Sequence, residues 1–281
     1  MKKTKQTVAL RILLYLVLIG YAFITFYPFL WAVSASFKPL SEITNGNLSL
    51  WSKQFNFAQY SYLFDKNSGS MFSQWLLNSV IISTIGTAIN IFLNTMAGYS
   101  LARLNYPGRQ RIYYGILAMM MVPSQVLLIP NYLIIKNLGM MDSFAALILP
   151  AAVNIGNIFM MRQFFMSFPK DVEEAATIDG LSRTGVFFRI VMPLAKPSIA
   201  TQAVFVFMGF WNNFLSSMLY IHTPEKFTLT LGLQTLQRAE AGGTLWNRVM
   251  AASIITIIPI VLLYIIFNKY FLQGVRMDGE K

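Results

Sequence analysis

The sequence predicts an all-α membrane protein with six transmembrane helices and with both termini on the cytoplasmic side. Three observations carry that reading: a composition that no water-soluble core could bury, six apolar stretches free of fixed charge, and a one-sided gathering of Lys and Arg. Hydrophobic residues make up 56% of the 281, and charged residues only 12%. An ordinary soluble domain carries about 25% charged residues. A helix crossing the hydrocarbon needs about 20 residues without a fixed charge.

The first span runs from Ile12 to Val33. Its basic start at Lys2 and Lys3, with Ser34-Ala35-Ser36 after it, imitates a secretory signal and its cleavage site. The apolar run exceeds the roughly 7 to 15 residues of a signal core, so it reads as an uncleaved helix. The second span covers Trp75–Gly98, between Lys66 and Arg103. The remaining four cover residues 112–135, 143–161, 199–221 and 249–268, none of which contains Asp, Glu, Lys, Arg or His.

Basic loops are retained in the cytoplasm. With the N-terminus inside, most of the 22 Lys and Arg residues fall on inside segments, among them Arg103, Arg109, Arg111, Arg162, Lys170, Arg183, Arg189 and Lys196. That assigns the orientation. The net charge of +11 sits in short loops beside apolar spans, where topology and anionic lipid account for it, so it does not indicate nucleic acid. Without cysteine, and with His222 as the one histidine, there is neither a disulfide nor a metal-ligand cluster to expect. One membrane domain over residues 1–281 is the economical reading.

The loop from Arg162 to Lys196 is chemically distinct. It holds Asp171, Glu173, Glu174 and Asp179, although acidic residues do little to set topology. Pro169 suits a first helical turn, Asp171 and Glu174 have capping-box spacing, and Gly180 suits a C-terminal stop. A short helix is expected from Pro169 to Asp179. Val172, Ala175 and Ala176 would share one stripe, with the alanines leaving room for a partner's backbone. A second helix should run from Ser182 toward Val191 and end before Pro193. An acidic helix is repelled by anionic lipid, so docking to a soluble partner outweighs resting on headgroups.

A carrier driven by an ion gradient generally holds ionisable residues within its spans, and these spans have none. No G-x-x-x-x-G-K-[ST] phosphate loop is present either, so energy would come from elsewhere or transport would be passive. The polar residues of the spans are neutral, including Asn78, Asn90, Asn94, Asn154, Asn157, Gln202, Asn212 and Asn213. Helix-to-helix glue is the ordinary role of each. Asn154, Asn157, Trp211, Asn212 and Asn213 are the candidates for a path lining, because amides and an aromatic ring together suit a sugar's hydroxyls and apolar face.

With these residues in view, the chain resembles the membrane permeases of binding-protein-dependent ABC importers. Their cytoplasmic E-A-A-x-x-x-G-x9-I-x-L-P motif reads here as Glu174-Ala175-Ala176, Gly180, Ile190, Met192 and Pro193, every spacing kept. Met192 replaces Leu, an apolar exchange of similar volume that costs under about 1.5 kcal/mol. Glu173 to Gly180, Tyr99-Ser100-Leu101-Ala102-Arg103-Leu104 with Pro107-Gly108, and Trp211-Asn212-Asn213-Phe214 are similar to the carbohydrate-uptake branch, in particular to its six-span maltose permease G subunit. The tail from Gly274 to Gly279 follows that branch only loosely.

The resemblance implies the type I importer permease fold in a bacterial-type cell membrane, without enzymatic activity or a cofactor of its own. ATP and Mg would sit on the partner ATPase. The implied partners are a second, different permease, two ATP-binding cassette subunits, an extracytoplasmic solute-binding protein and a sugar, with an oligosaccharide expected. Pro169, Glu173, Glu174, Ala175, Ala176, Asp179, Gly180, Ile190, Met192 and Pro193 would form the ATPase-coupling loop. The outer loop of residues 223–248 would meet the binding protein, with Gly232, Gly242 and Gly243 allowing a close fit. An importer of a non-sugar solute is the alternative within this reading, and a secondary transporter is the rival outside it.

Overall fold

A computed structural model describes residues 5–46, 48–52, 54–238 and 244–278. Fifteen α-helices and no strand occur among them. The N-terminal part contains α1 (Lys5–Ser36), α2 (Leu40–Thr44) and α3 (Ala58–Phe64), followed by α4 (Phe72–Arg103). Next come α5 (Arg109–Met119), α6 (Leu128–Asn137), α7 (Phe144–Ile148) and α8 (Ile155–Ser167). The loop contributes α9 (Lys170–Ile178), α10 (Arg183–Val186) and α11 (Met192–Leu194). The chain continues through α12 (Lys196–Trp211), α13 (Leu215–Tyr220), α14 (Leu229–Arg238) and α15 (Trp246–Asp278).

Three helical stretches are long and apolar enough to cross a membrane unbroken: Leu10–Ser36, Phe72–Arg103 and Trp246–Asn268. They contain the first, second and sixth expected spans. The other three windows depart from the expectation of single helices, because each is interrupted. Residues 112–135 divide into α5 and α6 around Pro123, and residues 143–161 divide into α7 and α8 around Pro150. Residues 199–221 divide into α12 and α13 at Asn212-Asn213. Proline removes a backbone donor and clashes with the preceding turn. The Asn154 side chain caps α8 by accepting from the Asn157 N–H, at 3.0 Å. The Asn213 side chain accepts from the Ser216 N–H at 3.1 Å. Side chains that satisfy free backbone donors stabilise a new helix start over continuation of the old one.

The chain divides into two compact units. One comprises residues 1–73 and 233–258. Within it the large apolar side chains of α1 from Leu10 to Leu30 stand exposed, as a lipid-facing helix requires. Lys38 is buried and donates to the Ser49 carbonyl. The Arg248 guanidinium lies 3.6 Å over the Tyr62 ring and donates to Gln59 at 3.1 Å.

The other unit comprises residues 74–232 and 259–281. Ile82, Ile135, Leu147, Phe210, Tyr220 and Ile221 form one apolar cluster in it. Tyr99, Met161, Phe165, Ala176, Val186, Phe187, Val191 and Ala195 form a second, which packs the loop helices against α4 and α8. The candidate sites described next lie in this unit.

Candidate functional site

The loop helix α9 covers Lys170–Ile178, with Pro169 and Asp179 as its caps, one residue inside the expected bounds at each end. The capping box does not form, because Pro169 is the N-cap and no side chain bonds the free amides there. Asp171 and Glu173 instead sit in the first turn, where the positive end of the helix dipole favours carboxylates. Gly180 takes φ +86°, a left-handed backbone that any other residue adopts at a cost. Its N–H donates to the Thr177 carbonyl at 3.0 Å, and the Leu181 N–H donates to the Ala176 carbonyl at 3.1 Å. That pair of bonds closes the helix as a Schellman motif.

After the turn, the Ser182 side chain caps α10 by accepting from the Gly185 N–H at 3.2 Å. The helical path does not stop before Pro193 as expected. Residues Phe187–Val191 form a π-helical turn, and α11 carries Pro193 through to Leu194. The wider turn relieves the clash of a proline ring with the carbonyl behind it, and the missing N–H falls in a first turn. The helices Arg183–Leu194 and Lys196–Trp211 then meet at a 75° bend.

The two adjacent glutamates have different surroundings. Glu173 turns inward, its Oε1 2.9 Å from Arg103 Nε and its Oε2 accepting from the Tyr99 hydroxyl at 2.9 Å. Arg103 also donates to the Phe168 carbonyl, just before α9. Glu174 is exposed, beside exposed Val172, Ala175 and Ile178. Ile178 is 86% exposed, which leaves its apolar surface available to a partner. Ala176 does not share that face as the stripe argument expected: it is buried against the cluster of Val186 and Phe187. A helix advances 100° per residue, so Ala175 and Ala176 cannot both stand at the centre of one face. Ile190 and Met192 pack half-buried on the same cluster, and Pro193 is exposed.

A second feature arises where the helices break. A cleft of about 590 Å³ is lined by Asn90, Asn154, Asn157 and Asn213, with Ser124, Phe205 and Phe210 beside them. Ser124, Asn154 and Asn213 come from the three interrupted windows. Irregular backbone at membrane depth is tolerated where protein buries it or where it borders a wet cavity. Asn90 and Asn94 satisfy that backbone. Asn90 Nδ2 donates to the Ala151 carbonyl at 2.8 Å, and Asn94 Nδ2 to the Ala152 carbonyl at 3.2 Å. The Asn154 N–H donates to Asn94 Oδ1 at 3.0 Å, and Asn157 Nδ2 donates to Asn90 Oδ1 at 3.0 Å.

Of the candidate path residues, Asn154, Asn157 and Asn213 therefore meet at one cleft, and Trp211 and Asn212 do not. Trp211 is buried and stacks on Phe207 at 5.6 Å. Asn212 is exposed at the C-terminal cap of α12. The aromatic ring available to a ligand is Phe205, which lines the cleft and is 64% exposed. Sequence reasoning passed over it because it lies in an unbroken apolar run with no polar neighbour to mark it.

Asp142 is another residue that the sequence did not disclose. It has φ +57°, and its carboxylate accepts from the His222 N–H at 2.9 Å, the Thr223 N–H at 3.0 Å and Lys226 Nζ at 2.9 Å. The Thr223 hydroxyl is the main reason that this carboxyl is held well below its ordinary 3.8. These bonds fix the start of the segment after α13. In that segment Gly232 is buried beneath Trp75, where an added Cβ would lie 2.1 Å from a ring carbon. Its close approach is thus to its own chain, not to a partner. Gly242 and Gly243 lie outside the described residues.

Residues 94–277 match the family described as binding-protein-dependent transport system inner membrane component. The chain is 33% identical over 273 residues to the arabinooligosaccharides transport system permease protein AraQ of Halalkalibacterium halodurans, covering 96% of this chain and 97% of that one. It is 33% identical over 255 residues to the diacetylchitobiose uptake system permease protein NgcG of Streptomyces coelicolor, covering 90% and 83%. Its fold is similar to that of a chain in the crystal structure of a bacterial ABC transporter involved in the import of the acidic polysaccharide alginate. The TM-score is 0.87 at 25% identity, over 96% of this chain and 99% of that chain.

Proposed function

From the premise that this chain belongs to the binding-protein-dependent transport system inner membrane components, we propose that it carries an oligosaccharide across the membrane and couples that movement to a separate ATPase through α9. It is a membrane permease subunit of an ABC importer, not an enzyme. A solute-binding protein and an ATPase act with it in the importer. The finer assembly belongs to the proposal: a second, different permease, two ATP-binding subunits, and ATP with Mg held by those subunits.

The observation that carries this reading is the sorting of charge on α9. Glu173 is bound within the chain, whereas Glu174, Ala175 and Ile178 are left exposed around a short rigid helix. An apolar contact flanked by the exposed carboxylates of Asp171 and Glu174 suits a cleft with basic or amide groups on a soluble partner. Movement of that partner would displace α9 as a body. The cleft at the helix breaks supplies the other half of the function. Its lining is neutral, with amides for hydroxyl groups and Phe205 for the apolar face of a pyranose ring. An uncharged saccharide fits that chemistry better than a polyanion does.

The alternative importer of a non-sugar solute is tested by measuring which solutes the partner binding protein retains. Neutral oligosaccharides are expected, and exclusive retention of an amino acid or ion contradicts the sugar reading. Uptake should survive collapse of the proton gradient and stop on depletion of ATP. The reverse pattern would establish a secondary transporter.

A further inference from the structure

We propose that α4 is the strut that carries the docking helix's displacement into the cleft, and that Tyr99, Arg103 and Glu173 form its joint; this rests on the reading that α9 docks an ATPase. Tyr99 and Arg103 lie four residues apart on α4, one above the other on a helix face. Both therefore reach one carboxylate, the hydroxyl donating to Glu173 Oε2 and the guanidinium forming an ion pair with Oε1, each at 2.9 Å. Arg103 also bonds the Phe168 carbonyl. The joint thus grips α9 both before its first residue and within its first turn. The ion pair is largely shielded from water, with side-chain exposures of 7% and 15%, so salt screens it less than an exposed pair.

The remaining length of α4 reaches the cleft without interruption. It is one continuous helix of 32 residues, and Asn90 stands 13 residues before Arg103, about 20 Å along the axis. There Asn90 and Asn94 bond the carbonyls of Ala151 and Ala152 and the amides of Asn157 and Asn154, at the break between α7 and α8. One rigid element thus holds the docking helix at one end and a cleft wall farther along.

The two routes along the chain are jointed. From α8 to α9 the path crosses Phe168 and Pro169 in extended conformation. From α9 to α12 it crosses the Gly180 turn, the π-helical turn and the 75° bend. A displacement applied to α9 would be absorbed at such bends, which makes the side-chain joint to α4 the stiffer path. The division of labour between neighbouring glutamates follows: Glu174 belongs to the partner's surface, and Glu173 is a positioning residue that the partner does not touch.

The test uses the assembled importer in lipid vesicles, with its ATPases and its solute-loaded binding protein. Arg103→Ala should retain the ATPases on purification within about twofold and keep basal ATP hydrolysis, while solute moved per ATP falls by at least about tenfold. The reversed pair, Arg103→Glu with Glu173→Arg, should transport several-fold better than either single change. If Arg103→Ala fails to insert, Tyr99→Phe and Glu173→Gln, which preserve size, should still lower solute moved per ATP.

Unchanged coupling in these variants would overturn the strut. So would loss of the ATPases from Arg103→Ala to the extent seen with Glu174→Lys, or a reversed pair no better than the single changes. Failure of the docking reading is separately visible, because Glu174→Lys would then leave ATPase retention and uptake intact.

Discussion

The α9 loop and the cleft at the helix breaks belong to the same compact unit, yet one is built from charges and the other from neutral amides. The loop bonds Glu173 to Arg103 and presents Glu174 to its surroundings. The cleft is lined by Asn90, Asn154, Asn157 and Asn213 with no charged side chain. The difference follows from solvent. At a water boundary a carboxylate can be hydrated or paired at small cost, whereas at membrane depth a fixed charge is expensive. Amides avoid that cost and can bond carbonyls freed by interrupted helices. On the proposed reading, force transmission and solute contact would therefore draw on different residue types.

Reversing one charge gives the largest expected break in this contrast. Glu174→Lys should lower uptake by about 100-fold or more and release the ATPase during purification, with membrane insertion unchanged, since a reversed interface charge repels its partner. Uptake assays beside quantified co-purification check it. At the cleft, Asn90→Ala should act on stability, because it leaves the Ala151 carbonyl and the Asn157 amide without their partner. A loss of about 1–3 kcal/mol is expected for such unmet bonds. Thermal unfolding in detergent measures it.

Phe205→Ala should separate solute contact from scaffolding. Its exposed ring lines the cleft, so uptake should fall by about threefold to tenfold with little change in unfolding temperature, in line with the loss of one aromatic contact. The smallest effect concerns pH. Asp142 is held below its ordinary 3.8, so its folded form is favoured while the carboxyl is ionised. That contribution should be constant from neutrality down to about 3.8 and be lost only as pH falls below it toward the depressed value. An unfolding series from pH 7 to 4 should show no Asp142-dependent transition when compared with Asp142→Asn.

The contrast also explains what the sequence could disclose. The α9 loop was legible because its signals lie within one segment: Pro169, the acidic first turn and Gly180 frame a single short helix, and the spacing onward to Pro193 is fixed. Its inward and outward faces were less so, since Ala176 and Glu173 take their positions from Tyr99 and Arg103 of α4, which are distant in sequence. The spans of α1, α4 and α15 were marked by apolar length alone. The breaks at Pro123, Pro150 and Asn213 were hidden inside equally apolar windows, because only tertiary partners such as Asn90 and Asn94 make an interrupted helix tolerable there. The same holds for Trp211 and Phe205, whose exchange of core and cleft positions leaves no trace in hydropathy.

The central claim, that the outward face of α9 is the ATPase contact, is open to direct measurement because the chain has no cysteine. Single cysteines at Ala175, Ile178, Glu173 and Ala176 can each be labelled with a short thiol-reactive photo-cross-linker, which joins to any adjacent residue on illumination, in the assembled importer. Ala175→Cys and Ile178→Cys should join to the ATPase, whereas Glu173→Cys and Ala176→Cys should not. Cross-linking from the inward pair, or none from the outward pair, would contradict the account.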